Sequence, residues 1–102
     1  MYLDILNYRS NADIIAMILF TAINGERKST IMAKAHLNYR QIMKYINILV
    51  INELVVERSN LSEGSTMYHT THKGKNYLDM YEESKAYNLT SNLYVVGKEI
   101  KI

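Results

Sequence analysis

Between Ser29 and Leu54 the chain reads STIMAKAHLNYRQIMKYINILVINEL, two helical patterns separated by a turn of a few residues. No other stretch limits the fold so strongly. The second pattern opens on Asn38-Tyr39-Arg40-Gln41, a capping-box arrangement. The Asn38 side chain can accept from a free backbone N–H of the first turn, and Gln41 can reach back to the cap residue. Ile42, Tyr45, Ile46, Leu49 and Val50 follow at i, i+3, i+4, i+7 and i+8, which is one buried helical stripe. The other face carries Tyr39, Arg40, Met43, Lys44 and Asn47: cations, an amide and flexible apolar groups. The preceding pattern, Thr30 to His36, is too short to be stable alone and must pack on something. A short helix, a tight turn and a longer helix with a basic outer face form the helix-turn-helix plan. On this reading Asn38 to Leu54 is a DNA-recognition helix.

The flanking segments supply what such a pair must pack on. Ser10-Asn11-Ala12-Asp13 is a helix start, with Ser10 as cap and an acid in the first turn. Ile14, Ile15, Ile18, Leu19, Ala22 and Ile23 form a broad apolar stripe, and Asn24-Gly25 ends the helix. Glu26 to Lys28 is a polar link, after which Ser29 or Thr30 is expected to cap the next helix. Ile31, Met32, Ala35 and Leu37 are that helix's inward candidates. Beyond Leu54, Val55 to Arg58 is β-branched and reads as a strand, Leu61 to Ser65 as a turn, and Thr66 to Thr71 as a second strand. A hairpin placed directly after a helix-turn-helix is a wing. Thr71 then caps a further helix on which Tyr77, Leu78, Tyr81, Lys85 and Tyr87 form an aromatic-rich but imperfect stripe, with more apolar surface than one small wing domain can readily cover. Met1 to Tyr8 has no decisive period, so a strand and an arm packing on a partner both stay open. Leu93 to Ile102 looks extended.

Composition narrows the class. A chain of 102 residues is one domain with a single modest core. Its most apolar run, Ile14 to Ile23, is about half the length of a membrane span. The N-terminus lacks the basic region of a signal peptide, and the absence of cysteine excludes disulfides and thiolate zinc sites. The expectation is a cytoplasmic, nucleoid-associated protein. The net charge of +2 says less than its distribution. Arg27, Lys28, Lys34, Arg40 and Lys44 cluster around the two central helices, and the acids gather at Glu53, Glu57, Glu82 and Glu83. A basic face on a neutral remainder suits nucleic acid.

The order helix, helix, helix, strand, strand, helix, with Leu37 to Ile46 and the Thr71-x-Lys73-Gly74 motif in place, resembles the small archaeal winged-helix DNA-binding proteins. That group contains regulators and chromatin-associated proteins, and the resemblance covers roughly Ser10 to Tyr87. It implies a mainly α fold with a small β-hairpin wing. The longer helix would enter the major groove, the wing would touch backbone or minor groove, and the last helix would form a dimer. The chain departs from the family where Gly usually joins the recognition helix to the wing. Here Asn52-Glu53 stands instead, and Asn52 is the residue expected to take the left-handed conformation.

The DNA-binding set expected from these arguments is Lys28, Ser29, Tyr39, Arg40, Gln41, Met43, Lys44, Asn47, Arg58, Lys73 and Lys75. Arg40 and Lys44, four apart, share a face and can grip phosphate or read guanine. Arg58, Lys73 and Lys75 would supply backbone contacts. Tyr77, Leu78, Tyr81 and Tyr87 are the dimerisation set. His69 and His72 lie at a strand end without a converging third ligand, so no metal is expected, nor any cofactor or small-molecule ligand. Nothing brings a nucleophile, base and acid together, so an enzyme is not expected. The domain reading is an arm over 1–9, a winged helix-turn-helix over 10–72, and a dimerisation helix with its tail over 73–102. Function is read as sequence-preferring double-stranded DNA binding by a dimeric transcription regulator. An architectural chromatin protein and a winged-helix module that binds another protein are the alternatives.

Overall fold

Ser10 opens the first helix as its sequence predicts. In the computed structural model, which describes residues 9–60 and 62–85, α1 spans Asn11–Thr21. Its capping box is complete: Asp13 N–H donates to Ser10 Oγ at 3.1 Å and Ser10 N–H to Asp13 Oδ2 at 3.0 Å. The chain then turns through Gly25, whose φ of 92° suits glycine. A Cβ there would also collide with the His69 imidazole.

The second helix, α2 (Lys28–Lys34), starts earlier than expected, and neither Ser29 nor Thr30 caps it. Its N-cap is Arg27, which makes no side-chain cap bond. The cause is tertiary. Glu26 bridges to Tyr68 of the wing, with N–H···O distances of 3.0 and 2.8 Å in the two directions. The chain therefore leaves the sheet edge at Glu26, and the next residue, Arg27, becomes the N-cap. At the other end His36 takes φ 56°, and Leu37 N–H bonds the Met32 carbonyl at 2.9 Å in a Schellman-type closure. Arg9 covers two further carbonyls, donating to Ala35 O at 2.6 Å and His36 O at 3.0 Å.

The recognition-type helix, α3 (Tyr39–Ile51), has the Asn38–Gln41 capping box in full. Gln41 N–H donates to Asn38 Oδ1 at 2.8 Å, and Asn38 N–H to Gln41 Oε1 at 2.9 Å. Its end corrects the expectation for Asn52. Asn52 stays right-handed at φ −89°, and Glu53 takes the left-handed position at φ 61°. Leu54 N–H closes on the Leu49 carbonyl at 2.9 Å, and the Asn52 amide bonds Ile48 O at 2.8 Å. A left-handed residue that is not glycine costs about 1–2 kcal/mol. The Thr71 hydroxyl, donating to Glu53 O at 2.6 Å, helps to hold it there.

The wing is an antiparallel pair, β1 (Val55–Asn60) and β2 (Ser65–Thr70), in the register Val55↔Thr70 and Glu57↔Tyr68. The first strand runs two residues beyond the expected Arg58. The second ends one residue early, because Thr71 N–H turns to Leu54 O at 3.0 Å instead of continuing the ladder. Thr71 then caps α4, which covers residues 72–85, by accepting from Gly74 N–H at 3.0 Å. Gly74 is buried against Leu54, and a Cβ on it would collide with the Leu54 carbonyl oxygen and lie 2.7 Å from Thr70 Cγ2. The Thr-x-Lys-Gly motif is thus a clamp that seats α4 on the end of α3.

Ile18, Leu19, Ile31, Ile42, Leu49 and Val55 are fully buried, so all three of the first helices and the wing share one core. Tyr68 and Leu78 complete it from β2 and α4. Buried Thr70 donates its hydroxyl to Leu19 O at 2.6 Å. Among the described residues no helix is long and apolar enough to cross a membrane. The expectations for Met1 to Tyr8, Tyr87 and Leu93 to Ile102 lie outside the described residues. The architecture is a winged helix-turn-helix with an added C-terminal helix.

Candidate nucleic-acid interface

Helix α3 buries Ile42, Tyr45, Ile46 and Leu49. At about 100° per residue, the positions pointing directly away from that stripe are Arg40, Lys44, Asn47 and Ile51. All four are exposed, Ile51 to 71%. Tyr39 and Met43 flank the stripe on the side of α2 and the wing, and Gln41 lies on the other flank, held in the cap. Arg40, Lys44 and Asn47 are where the sequence pattern places them, and Ile51 and its neighbour Ile48, which is 40% exposed, join them outside the expected set. The signal was available, since neither position falls on the apolar stripe.

Between α3 and the wing lies an open groove of about 570 Å³, lined by Lys28, Met43, Lys44, Ile46, Asn47, Val50, Glu57 and Tyr68. Lys28 reaches it from the first turn of α2. Its ammonium sits 3.1 Å from Met43 Sδ and 5.8 Å from the centre of the Tyr68 ring. Cation–π attraction holds it at the groove's mouth with its remaining N–H donors free to meet an anion. Lys44 lies likewise 5.6 Å from the Tyr45 ring centre. Tyr68, in sequence simply a strand residue, is 5% exposed and forms both core and groove wall. Strand alternation gives the reason: Tyr68 shares its face with buried Thr70 and pairs with Glu57.

The same alternation separates the wing's charges. Val55, Glu57 and Ser59 share the face turned toward α3, and Val56, Arg58 and Asn60 share the other. Glu57 therefore faces the groove, whereas Arg58 is exposed on the outer face of β1. Ser29 is exposed beside Lys28. Lys73 is exposed at the start of α4. Lys75 is not brought to the groove; it lines a separate hollow with Phe20, Ile23, Leu78, Asp79 and Glu82. Lys34, at the end of α2, lies 4.0 Å from Glu26. Among the described residues no group of three His, Cys, Asp or Glu side chains could hold a metal ion.

The residues expected to join two chains sit largely within one. Leu78 is 6% exposed in the core, and Tyr77 and Tyr81 pack half-buried against it. The Tyr81 hydroxyl donates to Asp13 Oδ1, and Lys85 Nζ lies 3.4 Å from the same oxygen. The Tyr81 hydrogen bond and the Ser10 backbone N–H hold the Asp13 pKa down at about 2. Burial and the Asp13 carboxylate push the Tyr81 phenol up, and the carboxylate likewise raises Lys85. What α4 and α1 leave exposed together is Phe20 at 65%, Met80 at 68% and Met17 at 37%.

The sequence profile of the winged helix-turn-helix family matches residues 8–89. A comparison with curated proteins gives no match. Among solved structures the chain is similar to Sso10a-2, a DNA-binding protein from Sulfolobus solfataricus, with 22% identity and a TM-score of 0.69 over 91% of this chain and 94% of that one. It is similar in fold to a MarR family transcription regulator at 12% identity and a TM-score of 0.70, over 87% of this chain and 60% of the regulator. A third likeness is to the adhesin competence repressor of Streptococcus pyogenes, 15% identical with a TM-score of 0.62, over 95% of this chain and 73% of that one.

Proposed function

The chain belongs to the winged helix-turn-helix family, and from that premise we propose that it binds double-stranded DNA with a sequence preference and acts as a dimeric transcription regulator. The observation that carries the reading is the outer stripe of α3. Arg40, Lys44 and Asn47 stand exposed on one face, directly opposite a fully packed core stripe. A helix of 13 residues with such a face fits the major groove, where cations take phosphate or guanine and an amide takes adenine. Lys28 and Ser29 would meet the backbone beside α3, with Tyr39, Gln41 and Met43 along its flanks. Arg58 and Lys73 would meet it beyond the wing. The likeness to a DNA-binding protein and to two regulators supports the same function.

The net charge of +2 favours a sequence-preferring regulator over an architectural protein, because binding without preference rests on neutralising many phosphates. The presence of Glu57 in the groove argues in the same direction. Selection of bound fragments from sheared genomic DNA by the purified protein tests the proposal. An enriched sequence element, bound with an affinity that falls steeply with salt, is the expected result. Enrichment without any shared element would favour the architectural reading. No retention of duplex at low salt would leave a protein-interaction module.

The dimer is read from charge and exposure. Lys75 and Glu82 line one hollow with Phe20 and are seven residues apart, hence on one face of α4. Two α4 helices packed antiparallel about a two-fold axis near Leu78–Asp79 would set each Lys75 against the other chain's Glu82. Phe20 would be covered in the same contact. Two recognition helices would then meet half-sites about 34–36 Å apart or a multiple of that. Light scattering of the full chain at micromolar concentration gives twice 11.9 kDa if the dimer forms, and Phe20→Ser should halve that mass.

A further inference from the structure

We infer that Asn47 and Ile51 determine the sequence preference of α3, Asn47 by reading an adenine and Ile51 by covering a thymine methyl about two base steps away. The inference rests on the duplex-binding reading and names what that surface recognises.

Both residues carry a cost where they stand. Asparagine and isoleucine are weaker helix formers than Ala, Leu, Lys or Gln, so an exposed helix face does not favour them for its own sake. The other asparagines near the site have evident structural roles. Asn38 caps α3, Asn52 bonds the Ile48 carbonyl, and Asn60 organises the wing turn. Asn47 sits in mid-helix, exposed, on the stripe that points away from the core. Ile51 gives the core nothing. Its helix already fills that space with Ile42, Ile46 and Leu49, and its own side chain is 71% exposed.

Chemistry then assigns the ligands. An asparagine amide offers one donor and one acceptor side by side, the complement of adenine N6 and N7 in the major groove. An aliphatic group in that groove is matched by the thymine methyl and by no other base edge. Four residues of helix rise span about 6 Å, and base pairs stack about 3.4 Å apart, so the two contacts fall near two steps apart. Arg40 and Lys44 occupy the preceding turns of the same stripe. The recognised element therefore combines a cation-contacted end with an A·T-rich end.

The test uses the full chain and the duplex that it selects from a random library. Thymine is replaced by deoxyuridine at each position in turn, which removes only the methyl group. Wild type, Ile51→Ala and Asn47→Ala are titrated against the series, with circular dichroism and light scattering as controls of fold and assembly. At one position the wild type should lose about fourfold in affinity, the worth of burying one methyl group, and Ile51→Ala should be indifferent there. Near that position, exchange of one A·T pair for G·C should cost the wild type roughly tenfold, in the range for one bidentate base contact, and cost Asn47→Ala little. Duplex binding that ignores every deoxyuridine, or a loss that persists in Ile51→Ala, overturns the inference and leaves the proposed function standing. A change of assembled mass in Ile51→Ala assigns the side chain to a protein interface, which also overturns it. Failure to select any duplex removes the proposed function itself, and is seen before any substitution is made.

Discussion

Replacing Asp13 by Asn should loosen α4 from α1 and abolish an acid-dependent part of the stability. One oxygen of the Asp13 carboxylate accepts from Ser10 N–H at 3.0 Å, and the other takes the Tyr81 hydroxyl and lies 3.4 Å from Lys85 Nζ. Its pKa is held at about 2 against an ordinary 3.8, chiefly by the Tyr81 hydrogen bond. At about 1.4 kcal/mol per pKa unit the full depression is worth about 2.5 kcal/mol. The side chain is still 27% exposed, and solvent screening reduces this to about 1.5 kcal/mol. The sign follows from linkage. A carboxylate depressed in the folded state stabilises the fold fully above its unfolded pKa, near 4. That contribution disappears as pH falls from about 4 to about 2. Urea unfolding at a series of pH values measures it. The gap between wild type and Asp13→Asn should be about 1.5 kcal/mol at pH 7 and close to zero at pH 2. Subtracting the two curves removes the titration of every other carboxylate. A gap below 0.5 kcal/mol at pH 7, or one that persists unchanged to pH 2, would refute the reasoning.

Arg40→Ala with Lys44→Ala should lower duplex affinity at least tenfold in gel-shift titration with the fold intact, since one bidentate base contact alone is worth about 1–3 kcal/mol. Glu57→Gln should have the opposite effect, raising affinity for all duplexes severalfold at low salt, because it removes a carboxylate from the groove that holds Lys28 and Lys44. Gly74→Ala should cost about 3 kcal/mol in urea unfolding, because its Cβ has no room against the Leu54 carbonyl and Thr70. An Ala variant as stable as wild type would show that α4 does not close on α3 as described.

The elements of this protein were legible where a local signal is strong. Ser10-x-x-Asp13 and Asn38-x-x-Gln41 mark helix starts because a cap needs only residues three apart in the chain. The buried stripes of α1 and α3 follow from the helical period, Gly25 marks a turn, and the Thr-x-Lys-Gly motif marks a helix start where a side chain on the glycine would collide. Outward residues of α3 were legible by the same period read in reverse, which is why Arg40, Lys44 and Asn47 emerged from the sequence.

Local patterns misled wherever a distant partner sets the geometry. The start of α2 is decided by the bridge between Glu26 and Tyr68, 42 positions apart, so a serine and a threonine well suited to capping go unused. Glu53 accepts the left-handed turn in place of Asn52 because the closure onto Leu49 and the hydroxyl of Thr71 fix it there. Tyr68 belongs to the groove, and Lys75 to another hollow, only because β2 and α4 are folded back over the first helices. Tyr81 looks like spare apolar surface in the sequence, and becomes the partner of Asp13, 68 positions away, once the chain has closed between them. Sequence alone determined where α1, α3 and α4 begin, which faces the helices bury and which cations they present, because those depend on neighbours within a turn. Tertiary structure decided which of those side chains share a surface, because that depends on contacts between residues distant in the chain.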